Sequence, residues 1–118
     1  MGLDLSGAGG YFRWTISGWH KVLELAEAHG WEPTGTGPPR GTLAADWVGT
    51  YYSNDGQLFY ARDAKKLADA LELALWEMSP KADVDSPPEN TEVSEGEAYD
   101  EVLKKFIHFC RQGSFRLD

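Results

Sequence analysis

The chain has 118 residues, 19 of them acidic and 11 basic, for a formal charge of −8. That length fits one domain with a core that needs no metal or disulfide support. The charge excludes the basic footprint of nucleic-acid binding, and no apolar run approaches the ~20 residues of a membrane-spanning helix.

The acidity is uneven. Residues 80–97 hold six acids and one base, a net −5, and the other 100 residues carry only −3. A single cysteine, Cys110, allows no internal disulfide and suits a reducing compartment. The opening Met1-Gly2-Leu3-Asp4-Leu5 lacks the basic and apolar regions of a signal peptide. A cytoplasmic location is therefore expected.

Ser6-Gly7-Ala8-Gly9-Gly10 reads as a flexible entry loop. In the next six residues Phe12, Trp14 and Ile16 alternate with Tyr11, Arg13 and Thr15, the period of a half-buried strand. Ser17 is placed to cap a helix whose apolar face is Trp19, Val22, Leu23 and Ala26. Gly30 is its stop, with Trp31 folding back as the apolar contact of a Schellman motif. Residues 32–43 hold three prolines and three glycines and form a long loop.

Trp47 to Tyr60 reads as a hairpin, with strand formers at Val48–Tyr52, a turn at Ser53–Gly56 and a return at Gln57–Tyr60. Asp63 is placed to cap the next helix, whose stripe is Ala64, Leu67, Ala68, Leu71, Ala74, Leu75 and Met78. Trp76 falls near its end, on the flank of the stripe. Ser79-Pro80 ends it. An acidic, proline-containing loop follows at about 79–95, and Ser94 and Glu97 have the spacing of a capping box. The last helix carries Tyr99, Val102, Leu103, Phe106 and Cys110 on one face and stops at Gly113. Ser114–Leu117 reads as a closing edge strand.

The predicted class is α+β: an antiparallel sheet of three to four strands with three helices, in the order β-α-β-β-α-α-β, as one domain over 1–118.

Catalytic and metal motifs are sparse. The Gly7-Ala8-Gly9-Gly10 cluster precedes a strand and no lysine follows, so it does not fit a phosphate loop. His108 and Cys110 are two apart and diverge on a helix, and no CxxC or HExxH is present. No cofactor and no metal are expected. His29 sits in a last helical turn, where the dipole favours a cation.

The distinctive stretch is Trp47 to Gln57. Aromatic anchors beside amide and carboxylate groups suit a protein interface. The expected partner-binding residues are Trp47, Tyr51, Asn54, Asp55 and Gln57, with Trp76 as an anchor and Asp83 and Asp85 steering a basic partner.

Three patterns, Trp47-x-Gly49-x-Tyr51-x-x-Asn54-Asp55-Gly56-Gln57, Asp63-Ala64-x-x-Leu67-Ala68-x-Ala70-Leu71 and Phe109-Cys110-Arg111-x-Gly113-x-Phe115, together resemble a group of small uncharacterised bacterial proteins. That resemblance implies no activity and transfers no functional residue. In size and acidity the chain is also similar to small immunity proteins. The leading expectation is a protein-binding module, of inhibitor or immunity type, that acts by occlusion. Two alternatives stand beside it. One is a small-ligand domain with an aromatic cleft formed by some of Trp14, Trp19, Trp31 and Trp47. The other is a small hydrolytic enzyme using His20, His29 and Asp55.

Overall fold

The computed structural model describes residues 2–78 and 99–118. The element order is β1 (Gly2–Gly7), β2 (Gly10–Thr15), α1 (Ile16–Ala28), β3 (Gln57–Phe59), α2 (Ala61–Met78), α3 (Tyr99–Arg111) and β4 (Phe115–Leu117), with a 3-10 turn at Ala44–Asp46. Three helices and a four-stranded antiparallel sheet, ordered β2-β1-β4-β3, give the α+β class read from the sequence.

Several elements lie elsewhere than their local patterns suggest. The entry loop at 6–10 is the tip of a hairpin: β1 and β2 pair from Gly2↔Thr15 to Gly7↔Gly10 across a two-residue turn. The signal was Leu3 and Leu5 alternating with Asp4 and Ser6, a period-two run too short to stand out beside its glycines. The other hairpin, at 47–60, does not form. Only Gln57–Phe59 is a strand, paired on one side with β4 and on the other with a single bridge from Gly37 to Leu58. Gly49 at φ +76° breaks the extended run before it, and its carbonyl accepts from Thr36 N (3.2 Å) in the 32–43 loop. The closing strand is not an edge. β4 lies between β1 and β3, because Phe115 and Leu117 are needed in the core.

Helix α1 is capped by Thr15, two residues earlier than Ser17: the Thr15 hydroxyl accepts from Gly18 N at 2.9 Å. Its end is the expected Schellman motif, with Trp31 N bonded to Ala26 O (3.0 Å), Gly30 N to Glu27 O (3.3 Å) and Gly30 at φ +98°. Asp63 does not cap α2. The helix begins at Ala61, and the Asp63 side chain turns inward from its first turn.

One face of the sheet meets the helices. Leu3, Leu5, Phe12, Trp14, Phe59, Phe115 and Leu117 point to a core completed by Trp19, Val22, Leu23, Leu67, Leu71, Leu75, Leu103, Phe106 and Phe109. Phe59 and Phe115 stack at 4.7 Å between centroids, and Phe106 meets Trp14 edge-on at 5.3 Å. The other face of the sheet is polar. There Asp4 pairs with Arg13 (3.6 Å) and accepts from the Tyr11 hydroxyl, and Ser6 donates to Asp118 (3.0 Å). Among the described residues no helix is long and apolar enough to cross a membrane.

Candidate functional site

The stretch from Trp47 to Gln57 is held by its own side chains. Gln57 is fully buried and acts as a clamp: its Nε2 donates to Ser53 O (2.7 Å) and Thr50 O (3.2 Å), and its Oε1 accepts from Asp55 N (2.9 Å). Trp47 is half-buried and donates to Thr36 O at 3.0 Å. Tyr51 is buried, and its hydroxyl accepts from Gly35 N (2.7 Å) while donating to Asp63 (2.5 Å). Burial first, then the Asp63 carboxylate, push its phenol well above the ordinary tyrosine range.

Gln57 is thus spent on its own turn, Trp47 on joining this stretch to the 32–43 loop, and Tyr51 on joining both to α2. Asn54 and Asp55 remain exposed at the turn. Asp55 borders a polar hollow of about 560 Å³ on the sheet's open side, with Arg40, Arg116 and Asp118. Asp83 and Asp85, with the rest of the acidic stretch and the Ser94–Glu97 box, lie outside the described residues.

The tryptophans separate. Trp14, Trp19 and Trp31 are buried. Trp19 donates to Tyr51 O (2.6 Å) and Trp31 to Asp63 (2.8 Å). The two candidate histidines have partners of their own: His20 meets the Tyr52 ring edge-on at 4.8 Å, and His29 bonds Leu25 O and Glu77. Cys110 is buried, and burial pushes its thiol well above the usual value, away from the thiolate a nucleophile needs. Among the described residues no group of three or more His, Cys, Asp or Glu is arranged to hold a metal ion.

Trp76 is the exception, at 62% exposure. In α2 the buried positions are Asp63, Ala64, Leu67, Ala68, Ala70, Leu71, Ala74 and Leu75. At 100° per residue Trp76 falls nearly opposite the centre of that stripe, not on its flank. Leu73, half exposed, lies one turn earlier on the same outward side. Met78, at the helix end, is also half exposed.

No family model, curated protein or solved structure matches the chain.

Charge on the outward side of α2 is divided along the axis. Arg62, Lys65 and Lys66 occupy the first half, are exposed, and take part in no ion pair among the described residues. Asp69, Glu72 and Glu77 occupy the second half. Arg111 of α3 reaches Asp69 (3.4 Å) and Glu72, and His29 reaches Glu77 (2.7 Å). Beside this face runs a groove of about 440 Å³ walled by His29, Glu32 and Thr34 on one side and Lys66, Asp69 and Leu73 on the other. Thr34 and Lys66 also border a smaller hollow of about 300 Å³ with Tyr60 and Arg62.

Sequence reading picked out Trp76 but missed Leu73 and the three cations. The signal was available in helical arithmetic: two large apolar side chains three residues apart, both off the stripe that Leu67, Leu71 and Leu75 define.

Proposed function

We propose that the protein is a protein-binding module whose docking face is the outward side of α2. The observation that carries this reading is the exposure of Trp76, with Leu73 beside it, on the side of the helix that the core does not use. Single exposed apolar residues are ordinary, but a tryptophan three residues from a leucine on a solvent face is the composition of an interface anchor. Arg62, Lys65 and Lys66, which have no ion-pair partner among the described residues, supply the polar surround. The core itself provides the rigidity, since α2 buries eight side chains on its other side.

Such a module acts by occupying a partner's surface. The partner must offer acidic groups to Arg62, Lys65 and Lys66 and an apolar seat to Trp76 and Leu73, since Asp69, Glu72 and Glu77 already have Arg111 and His29 as partners.

The test is site-specific photocrosslinking in cells that express the protein. A photoreactive residue at position 73 is expected to give a discrete adduct, lost when Lys65 and Lys66 are both changed to Glu. The same probe at position 13, on the open face of the sheet, is the control and gives none. No adduct from position 73 above that control overturns the reading.

A further inference from the structure

We infer that a hollow between the start of α1 and the start of α3 binds a small organic acid, a carboxylate carried on an apolar body. The site shares no residue with the docking face on α2, and neither reading depends on the other.

The hollow has a volume of about 420 Å³, within the range of small-molecule sites. Trp14 and Val102, both buried, and the ring of Tyr99 give it an apolar wall. Ser17, Gly18 and Lys21, from the first two turns of α1, give it a polar one. Its charge sets it apart in a chain of net −8. Among the described residues no Asp or Glu lines it, whereas each of the three hollows described above carries at least one acid.

Some of its polar groups are already engaged. Arg13, at the rim, pairs with Asp4 (3.6 Å), and the Thr15 hydroxyl accepts from Gly18 N (2.9 Å). Two others lack an answer. Lys21 is exposed and takes part in no ion pair among the described residues. Trp14 is 6% exposed, and its Nε1 is the one buried side-chain polar atom among the described residues with no hydrogen-bond partner. Buried donors in native proteins are satisfied, and an exception points to a water, an ion or a ligand.

A carboxylate supplies what this hollow lacks, an acceptor for the indole N–H and a negative charge for Lys21. No acidic residue stands in the first turn of α1, so the positive end of that helix adds to the preference for an anion. One free cation suits a single negative charge and would leave a phosphate short of partners. The apolar body follows from Trp14, Val102 and Tyr99, against which it sheds water.

N–H NMR spectra of the full chain, titrated with benzoate and with phenylacetate, test this. The Trp14 indole N–H resonance, assigned by its loss in Trp14→Phe, is expected to move saturably with a dissociation constant below about 1 mM. The backbone amides of Gly18 and Lys21 move with it, and they carry the test if Trp14→Phe does not fold. Acetate lacks the apolar body and benzyl alcohol lacks the charge, so each binds about tenfold more weakly or worse. Lys21→Glu weakens benzoate binding by about tenfold or more with the thermal midpoint kept, and Lys21→Arg retains it. No saturable movement with either acid up to about 10 mM, equal binding of benzyl alcohol, or native affinity in Lys21→Glu each overturns the inference.

Discussion

The indole of Trp31 and the carboxylate of Asp63 meet in a buried 2.8 Å hydrogen bond that ties the exit of α1 to the start of α2. The second Asp63 oxygen takes the Tyr51 hydroxyl, so one aspartate, only 3% exposed, holds two donors from two loops. Replacing Asp63 with Ala leaves both donors unsatisfied in the core. A loss of about 3 kcal/mol in urea unfolding is expected, against about 1–2 kcal/mol for Tyr51→Phe, which keeps the Trp31 bond.

Tyr51 and Asp63 set an alkaline limit. Tyr51 in the folded chain holds its proton well above the ordinary value because of burial and the adjacent carboxylate. In the unfolded chain a tyrosine loses its proton near pH 10. Above about pH 10 the unfolded state therefore binds fewer protons than the folded one, and stability falls as pH rises. Urea midpoints between about pH 9 and 11 are expected to decline in the native chain and to decline less in Tyr51→Phe. Equal slopes would show that Tyr51 is not the group responsible.

The contrast between what could and could not be read from the sequence follows from range. The α1 stripe, the Gly30–Trp31 stop and the α2 and α3 core faces are decided within a turn or two of helix, and local pattern places them. The 47–56 stretch has strand composition, yet its backbone and side chains are claimed by partners far along the chain: Thr36 for Trp47, Gly35 and Asp63 for Tyr51. No local propensity reports such bonds. For the same reason Asp63 looked like a cap, since nothing near it in sequence announces the two aromatic donors. The outward side of α2 was readable in principle, because helical phase alone puts Leu73 and Trp76 opposite the core.

His29 illustrates a charge fixed by geometry. Its Nδ1 lies 2.8 Å from Leu25 O and its Nε2 lies 2.7 Å from Glu77. A neutral imidazole has one N–H and can serve only one acceptor, whereas the imidazolium serves both. The Leu25 carbonyl, then Glu77, raise the pKa of His29 above its ordinary value despite some desolvation. The stability this supplies is fully present below about pH 6.5 and is lost as pH rises through the raised folded value. Imidazole NMR titration is expected to give His29 a midpoint above the ordinary histidine value. Glu77→Gln should lower that midpoint.

Trp14 and Trp19 invite a matched comparison. Both are buried, but Trp19 donates its N–H to Tyr51 O, while Trp14 Nε1 has no hydrogen-bond partner among the described residues. Substitution by Phe removes similar volume at each site. At Trp19 it also orphans a carbonyl, and at Trp14 it removes a buried donor that was never satisfied. Trp19→Phe is expected to cost about 1–2 kcal/mol more than Trp14→Phe in chemical unfolding. A larger loss at Trp14 would mean that its N–H is used in solution.

Gly7 controls the centre of the sheet. It pairs with Gly10 across the hairpin and with Phe115 across β4. A Cβ built there would lie 2.6 Å from Phe115 Cα and would press on the Ser114 carbonyl, which are backbone atoms that cannot swing aside. That carbonyl also accepts from Ala8 N at 3.1 Å, so any shift disturbs the hairpin tip. Gly7→Ala is therefore expected to destabilise by about 3 kcal/mol through overpacking between β1 and β4. Gly41, at φ +85° with nothing within 4 Å of its built Cβ, gives the comparison, since Gly41→Ala carries only the backbone penalty of about 1–2 kcal/mol. Thermal unfolding of the two variants should rank them in that order. The reverse order would place β4 less tightly against β1 than the register Gly7↔Phe115 requires.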